Sequence, residues 1–276
     1  MAFQESQIVT KDNLKLLTRA WMSEKPPKAM VVIVHGIGEH SGRYGHVAKA
    51  FNVFGIHTFA YDQRGHGKSE GPRGHTPTNQ HLMDDLSLAI DEARQLAGEN
   101  LPIFLYGHSM GGLEVLYYGL HNLNGIKGYI STGPSIQIAS TDPLKILLAK
   151  TMTPFLPKLT LSSGLDVTAL SRDAQVIREY QDDPLVHDLC STRLGMFIIG
   201  GAEVVMKKAS SWSHPLLLMH GTEDRLGIIT GSEAFFAKIS GDVTFKRWNK
   251  MYHELHNEPE KAEVIQTMVD WILKRA

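Results

Sequence analysis

At 276 residues, 42% hydrophobic and 21% charged, the chain has the size and composition of one large globular domain with room for an insertion. A formal charge of −1 argues against nucleic-acid binding, and a lone cysteine, Cys190, excludes an internal disulfide and suits a reducing compartment. Residues 1–28 mix charges with short apolar stretches, without the apolar core of a signal peptide, and no segment approaches a transmembrane span; a cytoplasmic protein that reaches its ligands from water is expected.

In chain order, apolar runs at 14–20, 30–34, 57–61, 101–106, 128–131, 215–219 and 243–248 read as strands. Between them, apolar spacings of three and four predict helices over 44–54, 80–97, 110–120, 229–239 and 259–273. Such alternation specifies the α/β class: a mostly parallel central sheet with helices on both faces, binding ligands beyond the carboxyl ends of its strands. About 80 residues separate the run ending at Ser131 from the run at Pro215, far more than an ordinary connection. An inserted cap over 136–212 accounts for them, with the core formed by 1–135 and 213–276.

Within the cap, residues 142–161 present Leu144, Leu147, Leu148, Met152, Phe155 and Leu156 at helical spacing, interrupted by Pro154. From 143 to 165 the only charges are Lys145, Lys150 and Lys158. An apolar stripe with a solely basic complement fits an element lying on a membrane surface; a helix packed down on its own domain is the other reading, and both can hold.

The chemistry is read at Gly107-His108-Ser109-Met110-Gly111, directly after the run ending at Tyr106. Gly-x-Ser-x-Gly between a strand and a helix is the nucleophile-elbow signature, in which a Cβ at either glycine would obstruct the turn. Ser109 is then exposed at the strand end. The Met110 N–H, at the start of a helix over 110–122, faces the same space and can donate to a developing oxyanion. A glycine-punctuated turn with an ordinary serine is the competing reading.

A serine nucleophile needs a base and an orienting acid, conventionally in the chain order serine, acid, histidine. The run 215–219 leads into His220-Gly221-Thr222-Glu223-Asp224-Arg225, where Asp224 is the candidate acid and Glu223 and Asp242 its competitors. The strand over 243–248 ends at Asn249-Lys250-Met251-Tyr252-His253, which makes His253 the candidate base and His256 the alternative. The turn Asp62 to Ser69, with two glycines, an Asp and an Arg, reads as a structural clamp.

These blocks, with His35-Gly36-Ile37-Gly38-Glu39-His40-Ser41-Gly42-Arg43-Tyr44 and Asp182-Asp183-Pro184-Leu185, resemble the α/β-hydrolase superfamily and, within it, monoacylglycerol lipases. Two departures stand out: Ile37 occupies a position often smaller in that family, and Leu113-Glu114 replaces a small apolar pair. The resemblance implies an α/β-hydrolase fold with a cap, and cleavage of a small lipid ester by Ser109, Asp224 and His253 through an acyl-enzyme. It implies an oxyanion hole from the backbone N–H groups of Ile37 and Met110, and a polar glycerol recess to which Glu39, Arg43, Tyr180 and His256 map. It also implies an apolar acyl channel under the cap, to which the stripe would contribute Leu148, Met152 and Phe155. No cofactor and no metal are expected: the histidines at 35–46 lack a convincing ligand set. A peripheral membrane contact through the cap is expected, and oligomeric state is not legible. A general carboxylesterase, a lysophospholipase, a C–C bond hydrolase or a perhydrolase could use the same triad. A non-catalytic binding protein of this fold would normally lack a triad member.

Overall fold

The computed structural model describes residues 2–98, 100–121, 125–139 and 151–276. An eight-stranded sheet is built from β1 (Ala2–Val9), β2 (Lys15–Met22), β3 (Ala29–Val34), β4 (Ile56–Tyr61), β5 (Ile103–His108), β6 (Ile126–Thr132), β9 (Leu216–Gly221) and β10 (Val243–Trp248). Their order is β1-β2-β4-β3-β5-β6-β9-β10, antiparallel at β1/β2 and β2/β4 and parallel from β4 onward. β3, β4, β5 and β9 are buried at every residue, which explains why their sequences read as continuous apolar runs.

Period-two alternation divides each buried strand between two cores. Met30, Val32 and Val34 of β3 face a layer containing α2 (Asn79–Ala97) and α3 (Met110–Gly119), while Val31 and Ile33 face α1 (Gly45–Val53) and α7 (Lys261–Leu273). A one-residue slip would exchange the two faces of a strand, so the pairing register is strongly specified. Thr78 starts α2: the His81 N–H in the first turn is shared between the Thr78 hydroxyl at 3.3 Å and the Thr78 carbonyl at 3.2 Å.

The segment between β6 and β9 contains β7 (Thr160–Ser162) paired with β8 (Leu189–Ser191), α4 (Ala174–Asp182) and α5 (Thr192–Lys208); α6 is Ile229–Phe236. The His187 N–H donates to the Gly38 carbonyl at 2.9 Å, Ser191 to Gly74 at 2.8 Å, and Glu254 to Leu170 at 2.8 Å. The segment between β6 and β9 is thus tied by backbone bonds to the loops that follow β3, β4 and β10.

The path of the chain differs from a pure periodicity reading at two places. The helical spacing over 142–161, interrupted at Pro154, gives way to a turn by residue 153, and the chain reaches β7 past Pro154 and Pro157; its first part, Leu148 included, lies outside the described residues. β1 is not legible in the sequence because only Ile8 in it is buried: an edge strand exposed on both faces has no apolar periodicity to show.

The Asp62 turn is a clamp: the fully buried carboxylate accepts from Arg19 Nη1 at 2.8 Å, from the Ser41 N–H at 2.9 Å and from the Lys68 N–H at 2.8 Å. Glu114, one of the two departures, points into the core, where the Tyr61 hydroxyl donates to it at 3.4 Å. Burial, with Asp85 nearby, pushes its carboxyl well up.

Candidate active site

The carboxyl ends of five neighbouring strands, β3, β5, β6, β9 and β10, carry His35, Ser109, Gly133, Asp224 and His253 to one place. Ser109 sits between β5 and α3 with φ 56° and ψ −116°. Holding a non-glycine residue there costs on the order of 1–3 kcal/mol and is sustained only by firm surroundings. The flanking glycines supply them: a Cβ on Gly107 would fall on the Gly111 carbonyl, and one on Gly111 on the Val34 carbonyl. Neither glycine has positive φ, so the signature encodes close backbone approach, and the strain is carried by the serine itself. Met110 is the first residue of α3, and its N–H has no carbonyl partner within the helix.

Asp224 and His253 meet 29 residues apart in sequence, with His253 Nδ1 2.7 Å from Asp224 Oδ2. A carboxylate can only accept, so Nδ1 carries the proton and Nε2 holds the free lone pair. Asp224 Oδ1 accepts the backbone N–H groups of Leu226 at 2.8 Å and Gly227 at 2.9 Å. Burial works against ionising Asp224, but the His253 charge and hydrogen bonds from His220 and His253 outweigh it and hold the carboxyl well below its usual range. For His253, burial opposes the charged ring, and the Asp224 carboxylate overcomes it and raises the pKa above 6.5. The His108 ring lies 4.7 Å from that of His253; burial, then the His253 charge, pushes it down to about 4, so it stays neutral. Ser109 Oγ is 3.5 Å from Ser135 Oγ and makes no hydrogen bond to His253; such bonds commonly tighten only when substrate is bound.

Two spaces open from Ser109. The larger, about 290 Å³, lies under the cap and is lined by Ile37, Ile138, Leu165, Ile198, Ile199 and Leu226 with Ser109 and His253 at its end. Cys190 borders it, but burial pushes its thiol up to about 12, so it is protonated and a poor nucleophile. The smaller, about 10 Å³, touches Gly36, Glu39, Ser109, Tyr180, His253 and Glu254, and holds no more than a water molecule.

A buried charge cluster forms the wall of the small recess. Arg43 Nη1 donates to Glu39 Oε2 at 2.7 Å, and the guanidinium grips Glu254 through two bonds of 2.6 and 2.7 Å while lying 4.7 Å over the Tyr180 ring. Glu39 Oε1 accepts from the Gly36 N–H at 2.6 Å and from the Tyr44 hydroxyl at 2.8 Å, which fixes the loop bearing Ile37. Burial would raise both carboxyls; Arg43 reverses this and both are held below the usual range. Arg43→Met strands two buried carboxylates, and we expect a loss of about 3–5 kcal/mol of stability by urea unfolding. A midpoint unchanged from wild type would show the cluster to be better hydrated than its burial implies.

Among the residues singled out from sequence, Ser109, Asp224 and His253 come together, Ile37 and Met110 flank Ser109, and Glu39, Arg43 and Tyr180 form one cluster beside it. His256 does not join them: fully buried, it binds the Tyr106 hydroxyl at 3.1 Å and stacks on Tyr44 at 4.7 Å, beneath the recess. Met152 is half-buried and Phe155 is 83% exposed, and neither lines the large cavity, whose cap wall comes instead from α5 and the loop at 163–166. The helical spacing has ended at Pro154 before the chain reaches Phe155 and Leu156, so these two do not stay on its inward face. Glu254 is a residue that the sequence reading does not single out, although it adjoins His253 and supplies the second carboxylate on Arg43. Glu223 stays at the surface, with its N–H bonded to the Met251 carbonyl, and does not compete with Asp224. Among the described residues no group of three or more His, Cys, Asp or Glu is arranged to hold a metal, and no helix is long and apolar enough to cross a membrane.

Residues 25–260 match the Hydrolase_4 family, described as "Serine aminopeptidase, S33". The chain is 33% identical over 269 residues to a monoacylglycerol lipase of Mycolicibacterium smegmatis, an alignment covering 94% of this chain and 93% of that protein. It is 36% identical to an abhydrolase domain-containing protein of Dictyostelium discoideum, over all of this chain, which spans 29% of that relative's length. Among solved structures, the monoacylglycerol lipase of Paleococcus ferrophilus matches with a TM-score of 0.85 and 34% identity, both chains being covered in full.

Proposed function

The chain belongs to the Hydrolase_4 family of α/β-hydrolases, alongside monoacylglycerol lipases, and from that premise we propose that it cleaves monoacylglycerols to fatty acid and glycerol. The observation that carries the reading is the His253–Asp224 bond of 2.7 Å at the strand ends that also hold the strained Ser109, beside an apolar cavity on one side and a charged recess on the other. His253 Nε2 takes the Ser109 proton as Oγ attacks the ester carbonyl, because a serine hydroxyl is too weak a nucleophile near neutral pH without a base. The oxyanion is held by the N–H groups of Met110 and Ile37. Protonated His253 gives its proton to the leaving alcohol, and water, activated by the same ring, then releases the acid from the acyl-enzyme.

The acyl chain occupies the cavity against Ile198 and Ile199, and the alcohol lies toward Glu39, Arg43, Tyr180 and Glu254. A three-carbon polyol exceeds the room now present, so Leu165 and Leu170 withdraw as it enters. On the outer surface, Phe155, Leu156 and Leu161 stand exposed beside Lys158 and supply a patch for peripheral lipid contact.

An acyl-chain series of monoacylglycerols, assayed beside lysophosphatidylcholine, triacylglycerol and short aryl esters, tests the reading. Long-chain monoacylglycerol should give the highest kcat/KM. Ile198→Trp should lower it roughly tenfold or more while sparing the short aryl ester, and Phe155→Ser should matter only when substrate is presented in vesicles. Highest turnover on the aryl ester, with equal losses on both substrates in Ile198→Trp, would favour a general carboxylesterase.

A further inference from the structure

We infer that His220 is a positioning residue for the catalytic base: a second imidazole, on the far side of Asp224, that fixes which carboxylate oxygen meets His253. The inference rests on the roles proposed above for Asp224 and His253. His220 is the next-to-last residue of β9 and is fully buried. Its Nε2 lies 3.1 Å from Asp224 Oδ2 and 2.9 Å from the Gly227 carbonyl. Both neighbours can only accept, so Nε2 carries the proton. Nδ1 is left with its lone pair, and the Ser232 hydroxyl of α6 donates to it at 2.8 Å. Ser232 is itself fully buried, so the tautomer is set by the protein and not by solvent.

The consequence appears when the donors on Asp224 are followed atom by atom. Oδ2 receives Nδ1–H of His253 and a share of the single Nε2–H of His220, which also faces the Gly227 carbonyl, and Oδ1 receives the N–H groups of Leu226 and Gly227. An ionised carboxylate has about four lone-pair sites, and in Asp224 a donor faces each of them, the one from His220 being shared. Rotation of the carboxylate would disturb every one of these bonds, so Oδ2 stays aimed at His253 as the imidazolium forms. His220 also draws electron density from that oxygen, which limits how strongly Asp224 holds the proton on His253. A line of polar contacts Ser232–His220–Asp224–His253 therefore runs from the site back into the core.

The test compares wild type with His220→Leu, His220→Gln and Ser232→Ala, measuring kcat, KM and their pH dependence on a soluble ester, together with the rate of fluorophosphonate labelling and the Tm. His220→Leu should lower kcat and the labelling rate by about 10- to 100-fold, the loss of one charge-assisted hydrogen bond, with KM unchanged. Its acid limb should move to higher pH, because His253 is then the sole side-chain donor on Oδ2. Glutamine places an N–H donor near the former Nε2 position, so His220→Gln should recover most of the rate and the wild-type limb. Ser232→Ala, which frees the tautomer, should fall between them. If the leucine variant does not fold, the serine variant decides by the same readouts. Variants with lowered Tm but wild-type kcat and acid limb would overturn the inference, as would equal losses in His220→Leu and His220→Gln. Wild-type protein that fluorophosphonate does not label at Ser109 would instead remove the parent reading.

Discussion

Ser109→Ala is expected to lower kcat for ester hydrolysis by about 10⁶-fold, the scale seen when a triad serine is removed. The hydroxyl has Ser135 Oγ, at 3.5 Å, as its hydrogen-bond partner, and alanine meets the same backbone strain as serine. Stability should therefore change by less than about 1 kcal/mol, which separates loss of chemistry from loss of fold. A fluorophosphonate should label wild type at Ser109 and leave the variant untouched. Residual turnover above roughly 10⁻³ of wild type, or stoichiometric labelling at another serine, would place the nucleophile elsewhere.

That expectation was already legible in the amino-acid sequence, because an elbow is a local object: five consecutive residues carry the close approach, the serine and the helix N–H, although the structure leaves Ser109 nearly buried where the sequence suggested an exposed position. Strands β3, β4, β5 and β9 were legible for a related reason, since strands buried on both faces are continuous apolar runs. β1 was not, since its outer residues carry no apolar signal. In the cap, the interruption at Pro154 was legible but not the course of the chain beyond it, where Phe155 turns outward. Spacing reports a face only while the helix continues.

Long-range pairings were the harder part. Asp224 and His253 could be proposed because each follows a readable strand, but Glu254 and His220 take their meaning from partners 211 residues and four residues away that only the folded chain brings into hydrogen-bonding position. His256 shows the opposite error. Its nearness in sequence to the base suggested a place in the recess, yet the short turn at Leu255–Asn257 carries its ring beneath, against Tyr106 and Tyr44.

Asp224→Asn is expected to lower kcat by about 10⁴-fold, because an amide nitrogen facing Nδ1 favours the wrong tautomer and removes the anion that stabilises the imidazolium. The pH dependence carries the mechanism. In wild type the base works only when His253 is neutral, and Asp224 raises its pKa; kcat/KM should therefore rise with pH through a midpoint above about 6.5. In Asp224→Asn the raising charge is gone while burial, which lowers the pKa, remains, so the residual activity should titrate at a lower pH than wild type. His253→Ala should be similarly inactive and should lose that limb altogether, and Glu223→Gln should leave both rate and midpoint unchanged. A residual activity in Asp224→Asn that titrates at the wild-type midpoint would mean that another group sets the charge of the base, and Asp224 would lose its place as the acid that orients and charges His253.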